Sequence, residues 1–160
     1  MSVSVRSATE LDVRLVAGFI RELAQYERLA QEVVMTEADL RLTLFGEPRY
    51  AEVLIAEKER EPLGFALFFH TYSTFLGRPG LYLEDLYVRP EHRGRGVGLK
   101  LLAHLAGLAE ERECGRLEWS VLNWNESAIG FYDNLGARPQ SGWTAYRLTG
   151  EALHDLAARA

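Results

Sequence analysis

The seven residues Leu63-Gly64-Phe65-Ala66-Leu67-Phe68-Phe69 are apolar without interruption. Successive side chains of a strand point to opposite faces, so a strand of this composition needs apolar cover on both. The run predicts a central strand in a layered α/β fold, and its neighbours supply the layers. Val3 to Arg6 alternates weakly and reads as an edge strand. Thr9-Glu10-Leu11-Asp12 has the form of a helix cap with an acid three residues on. Leu11, Leu15, Phe19 and Leu23 then recur at i+4, widened by Val16 and Ile20, which predicts a helix to about Tyr26. Thr36-Glu37-Ala38-Asp39 repeats the device ahead of Leu40 and Leu44, for a short helix ending near Gly46 and Pro48.

Tyr50 to Glu57 reads as a strand, Lys58 to Pro62 as a charged turn, and Thr71 to Gly80 as a polar, glycine-containing loop. Leu81 to Val88 is a further strand in which Tyr82, Glu84, Leu86 and Val88 share one face and Leu81, Leu83, Asp85 and Tyr87 the other. Three-four spacing of Leu101, Leu102, Leu105, Leu108 and Ala109 gives a helix over Leu99 to Arg112. Arg116 to Val121 is a strand, and Asn125 caps a helix with Ala128, Ile129, Tyr132 and Leu135 on one face, stopped by Gly136. Trp143 to Leu148 is read as the last strand and Glu151 to Ala158 as a helical turn or two. The order β-α-α-β-β-β-α-β-α-β describes a mixed α/β sandwich with a meander in its middle.

With 160 residues, 48% of them apolar, the chain is expected to form one domain over 1–160 with a packed core. Its single cysteine, Cys114, excludes an intrachain disulfide. There is no charged apolar leader and no run of about 18 apolar residues, so a cytoplasmic location without membrane insertion is expected. The net charge of -5 argues against nucleic acid as a partner and favours a cationic small molecule.

The glycines at 94, 96 and 98, in Arg93-Gly94-Arg95-Gly96-Val97-Gly98, stand between a strand and a long helix. Such a turn leaves backbone N–H groups pointing outward at a helix N-terminus, a phosphate site to which Arg93 and Arg95 add cations. The alternative is a glycine-rich turn with solvated arginines. No Gly-Lys-Ser/Thr follows, and a dinucleotide fingerprint is poorly met. Glu84 interrupts an apolar face. If it is partly buried, desolvation raises its pKa and makes it a base; otherwise it is a paired or solvent-facing carboxylate. Tyr132 either reaches a ligand with its hydroxyl or bonds a neighbouring carbonyl. The four histidines show no metal-ligand spacing, so no metal is expected. Cys114 reads as packed, and no Gly-x-Ser-x-Gly elbow supports a serine hydrolase.

Taken together these residues resemble the GCN5-related N-acetyltransferase (GNAT) superfamily, and within it the diamine branch, the spermidine/spermine and thialysine N-acetyltransferases. Arg93, Gly96 and Gly98 meet the superfamily signature of Arg or Gln, two residues, Gly, one residue, Gly or Ala. The branch is carried by Arg21-Glu22-Leu23-Ala24-Gln25-Tyr26-Glu27, by Tyr82-Leu83-Glu84-Asp85-Leu86-Tyr87-Val88, and by Trp124-Asn125-Glu126-Ser127-Ala128-Ile129-Gly130-Phe131-Tyr132.

The resemblance implies an acyl-CoA N-acyltransferase fold, its mostly antiparallel sheet splayed at a cofactor cleft and flanked by helices. It implies acetyl-CoA as co-substrate, with pantetheine along Leu86, Tyr87 and Val88 and pyrophosphate over Gly94, Arg95, Gly96, Val97, Gly98 and Leu99. Asn125, Glu126, Ser127 and Ala128 match the other cleft wall. Tyr132 matches the general acid toward the leaving thiolate, and Glu84 the carboxylate that takes the amine proton through water. Tyr26, Glu27, Glu84, Glu118, Trp119, Ser120 and Trp143 match acceptor-binding positions. Ser73 and Phe75 stand where the polyamine enzymes carry an acid and a Trp, which weakens the case for a long polyamine. A homodimer is expected from the family and from the aromatic residues Trp143 and Tyr146. An acyl-CoA-binding module without turnover, or a peptide or protein N-acetyltransferase, are the competing readings.

Overall fold

The computed structural model describes residues 2–160 and divides into two compact units, one reaching Leu122 and one spanning Asn123–Ala160. The first unit is built on five strands, β1 (Ser4–Ser7), β2 (Glu52–Lys58), β3 (Glu61–Ser73), β4 (Arg78–Val88) and β5 (Leu117–Trp119). They lie in chain order across one sheet, antiparallel throughout except for the parallel pair β4–β5. As the all-apolar run requires, β3 is central and both its faces are covered. On one face α1 (Val13–Tyr26) and α2 (Glu37–Phe45) bury Val16, Phe19, Leu23, Leu40 and Leu44 against Val53, Ile55, Phe65, Leu67 and Tyr87. The Phe19 and Phe65 rings stack there with centroids 5.2 Å apart. On the other face α3 (Val97–Glu111) buries Leu101, Leu102 and Leu105, and each such side chain contributes about 1.5–3 kcal/mol.

Both predicted caps form. The Asp12 carboxylate accepts from the Thr9 N–H at 2.7 Å, ahead of a 3-10 turn that leads into α1, and Thr36 and Asp39 close a reciprocal box on α2. Leu11 sits in the turn and is 95% exposed, so the apolar stripe begins at Val13 instead. The expected loop over Thr71 to Gly80 is mostly ladder: β3 and β4 stay paired to Ser73 and Arg78. Gly80 is there for close packing, because a Cβ on it would meet the Thr71 hydroxyl oxygen at 2.8 Å.

A bulge corrects the expected faces of β4. Leu83 pairs with Phe68 while Asp85 pairs with the adjacent Leu67, which leaves Glu84 as the extra residue. Adjacent residues of β3 point to opposite faces, so Leu83 and Asp85 do as well. Strict alternation had put them together.

The second unit holds α4 (Glu126–Asn134) and α5 (Gly150–Ala157). The Asn125 side chain accepts from the Ala128 N–H at 3.3 Å, as its capping role requires, and Gly136 leaves the helix at φ 88°. The strand expected over Trp143 to Leu148 is not formed. Its residues enter no ladder, and Trp143 and Tyr146 are 81% and 96% exposed. Alternating apolar residues favour a strand only where an edge receives them.

Candidate active site

The ladder between β4 and β5 covers only Leu81–Leu83 against Leu117–Trp119. From Glu84 to Val88 the outer edge of β4 therefore carries no partner strand among the described residues. On its inner side Arg89 donates its N–H to Leu63 at 2.9 Å. Backbone groups alternate along a strand, so the N–H and C=O of Val88 point to the open edge.

That edge runs into the glycine turn. Gly94 and Gly96 have φ of 73° and 81°, and Gly96 is the N-cap of the 15-residue α3. No other heavy atom lies within 4 Å of where a Cβ would stand on either. The turn is open and stands at a helix N-terminus, where backbone N–H groups without intrahelical partners favour an anion. Arg95 is exposed beside it. Arg93 is engaged elsewhere: its Nε donates to the Val88 carbonyl at 2.8 Å, and its guanidinium lies 4.7 Å from the Tyr26 ring and 5.5 Å from that of Tyr87. Below, Arg89 forks onto Glu22 and donates to the Pro62 carbonyl, and the Tyr87 hydroxyl donates to Glu22 at 3.2 Å. The end of β4 is thereby tied to α1.

At the start of the open edge three carboxylates meet. Glu84 is exposed, the solvent-facing one of the two alternatives, because the bulge turns it out of the ladder. The desolvated acid is its neighbour. Burial, then the charges of Glu84 and Glu27, push the Asp85 carboxyl up to about 7. Burial and the Glu84 charge also raise Glu27, which follows the last residue of α1. Sequence reasoning named Glu84 and not Asp85 as a candidate because the bulge has no signature in the sequence; two adjacent acids inside a strand are the signal that points to both.

A raised carboxyl pKa makes this group favour folding while it is protonated. Its contribution is complete below about pH 4 and is lost as pH climbs to about 7. Asp85→Asn stays neutral throughout, so the melting temperature of the variant relative to the parent should rise between pH 5 and pH 8. A rise of about 3 °C or more is expected, the shift that ~1 kcal/mol gives in a domain of this size. Thermal melts at the two pH values check it, and a constant difference would show that Asp85 titrates normally.

Glu118 pairs in register with Tyr82, whose hydroxyl lies 2.7 Å from the Ser120 Oγ. Glu118 and Ser73 line one small cavity of about 60 Å³ with Thr71, Leu76 and Arg116, while Phe75 at the hairpin tip is 92% exposed. Trp119 is half-buried on β5. In the second unit Tyr132 lies on α4 with its ring 5.5 Å from that of Phe131. Glu126, Ser127 and Ala128 form the first turn of that helix. Among the described residues no group of three His, Cys, Asp or Glu is placed to hold a metal ion, and no helix is long and apolar enough to cross a membrane.

Comparison with known proteins places the chain in a family. The acetyltransferase (GNAT) family model matches residues 19–137. The chain is 39% identical to thialysine N-epsilon-acetyltransferase of Sus scrofa, with 99% of each chain covered. It is 31% identical to L-ornithine N5-acetyltransferase of Arabidopsis thaliana, covering 95% of this chain and 86% of that one. An integron cassette protein from the mobile metagenome of V. cholerae matches with a TM-score of 0.82 at 31% identity, over 98% of both chains. Likeness of this extent, on a sheet that opens beside β4 and leads into a glycine turn, makes the chain a member of the GNAT acetyltransferase family.

Proposed function

We propose that the protein transfers an acetyl group from acetyl-CoA to a primary amine of a small cationic acceptor, a diamine, a polyamine or a thialysine-like amino acid, by direct attack in a ternary complex. The observation that carries this reading is the unpaired β4 edge, with carboxylates at one end and an open glycine cradle at the other. The names of the thialysine and ornithine acetyltransferases support the same acceptor class.

In this reading pantetheine pairs with Leu86, Tyr87 and Val88, the pyrophosphate sits on Gly94 to Leu99, and Asn125 to Ala128 are further cofactor-binding residues. Tyr26, Glu27, Glu84, Glu118, Trp119, Ser120 and Trp143 receive the acceptor. An ammonium of pKa near 10 is not a nucleophile, so Glu84 takes its proton through water. The free amine attacks the thioester carbonyl carbon, and the oxyanion that forms is held by the outward N–H of Val88. Collapse breaks the C–S bond, and Tyr132 donates its phenolic proton to the departing thiolate. Cys114 has no part, since no acetyl-enzyme is needed.

Small cationic amines should exceed peptides as acceptors, because Glu27, Glu84 and Glu118 are the acids at the matched acceptor positions of a chain whose net charge is -5. Ser73 and Phe75 stand in place of an acid and a Trp, so spermine should not be the best of them. The test is kcat/KM for CoA release with a diamine, ornithine, thialysine, spermidine, spermine and a short peptide. A peptide winning by tenfold would overturn the acceptor class, and spermine winning would overturn the finer claim.

The working unit in this reading is a cytoplasmic homodimer, in which the exposed Trp143 and Tyr146 pair across copies. Sedimentation equilibrium should give twice the chain mass at micromolar concentration. A fully active monomer would defeat the dimer.

A further inference from the structure

The signature arginine is the residue whose geometry departs most from its expected use. A phosphate ligand would aim its guanidinium over the cradle. Arg93 instead spends Nε on the Val88 carbonyl, at 2.8 Å, and lays its planar head over two rings from two elements. Tyr87 belongs to β4 and Tyr26 is the last residue of α1, next to Glu27. One side chain thus joins three parts of the proposed site: the final peptide of the open edge, the acceptor end of α1 and the first residue of the glycine turn.

We propose that Arg93 is a positioning residue and not a phosphate ligand, fixing the Val88 peptide and the α1 terminus against the turn that cradles the cofactor. This rests on the acetyl-CoA reading above. Val88 carries its N–H and C=O on the same edge, so an arginine bonded to that carbonyl also fixes the direction of the N–H that receives the oxyanion. The stack over Tyr26 and Tyr87 holds the guanidinium in the orientation that the Nε bond requires.

Lysine cannot replace it. An ammonium keeps the charge but has neither the planar head for two rings nor a donor at the Nε position. A phosphate ligand would behave differently, since a lysine there would retain much of the attraction to phosphate, and removing the charge would weaken the salt dependence of binding.

The experiment uses the full chain with Arg93→Lys, Arg93→Gln and Arg95→Gln, each checked for folding by its thermal melt. Acetyl-CoA affinity is measured by calorimetry over a series of KCl concentrations, together with kcat and KM for a diamine. The expected result is that Arg93→Lys and Arg93→Gln fail alike. Both should lose about 10- to 100-fold in kcat/KM for the amine, the range expected of a displaced reacting geometry, while the salt slope stays at the parental value. Arg95→Gln should flatten that slope.

Rescue by lysine, or a flattened slope in Arg93→Gln, would make Arg93 a phosphate ligand and overturn the proposal. Tyr26→Leu supplies a second line if an Arg93 variant does not fold. It should lower kcat/KM for the diamine at an unchanged salt slope, and parental kinetics would overturn the proposal equally. A parent chain that binds no acetyl-CoA would instead overturn the function reading itself.

Discussion

Glu84→Gln should lower kcat/KM for a primary amine by about 10² to 10⁴-fold, the usual contribution of a positioned general base. The substitution keeps the shape of a side chain that the bulge places outside the β3 ladder, so the fold should be unaffected. The defect should shrink as pH rises toward the pKa of the acceptor, because more of the amine then arrives without its proton. Tyr132→Phe removes only a hydroxyl, on the other side of the reaction. Its loss should appear in kcat with acetyl-CoA affinity retained, as for an interaction made mainly in the transition state. Steady-state rates across pH, with pre-steady-state thiol release beside them, separate the two. A Tyr132→Phe enzyme equal to its parent in the chemical step at every pH would make Tyr132 a packing residue and water the acid. A Glu84→Gln enzyme with an undiminished rate would pass the role of base to Asp85, the carboxyl already raised to about 7.

That shift of attention from Glu84 to Asp85 marks where the sequence could be read and where it could not. The central strand, both helix caps, the α3 register and the glycine turn are local patterns, and each formed where its residues predicted it. The conformation of the turn was legible for the same reason, since alternate glycines before a helix constrain the backbone directly. The acceptor end depends on one extra residue in β4. Period-two alternation carries no mark of a bulge, so it groups Asp85 with Leu83 on one face and leaves the burial of Glu84 open. Arg93 shows a related limit: a cation beside a phosphate nest suggests the phosphate, and only coordinates reveal the carbonyl and the two rings that it meets. The apolar alternation of Trp143 to Leu148 predicts a strand, yet pairing is a property of the receiving edge and not of the segment.

Gly96→Val should abolish measurable acetyl-CoA binding, a loss of at least about 10²-fold, and kcat/KM with it. Two effects act in the same direction. At φ 81° a β-branched residue is an outlier whose strain is about 1–3 kcal/mol, so the turn shifts away from the conformation that directs its N–H groups outward. The open space above the glycine, where no other heavy atom lies within 4 Å, is also where the phosphate oxygens would lie, and the valine methyls would fill it. Gly107→Ala in the same helix is the control, since its Cβ also meets nothing within 4 Å and its backbone φ is ordinary. Calorimetric titration of the two folded variants should find acetyl-CoA affinity lost in the first and kept in the second. Unchanged affinity in Gly96→Val would remove the nest as the cofactor site.

The central claim is direct transfer from acetyl-CoA to a small cationic amine, and a single-turnover experiment on the unmodified protein tests it most directly. Enzyme loaded with acetyl-CoA is mixed with excess diamine, quenched over time, and assayed for free CoA thiol, acetylated amine and acetylated protein. The account predicts that acetylated amine appears at the same rate and in the same amount as free thiol, with no acetylated protein at any time. Acetyl on the protein before it reaches the amine would contradict it, as would thiol release that leaves the amine unmodified.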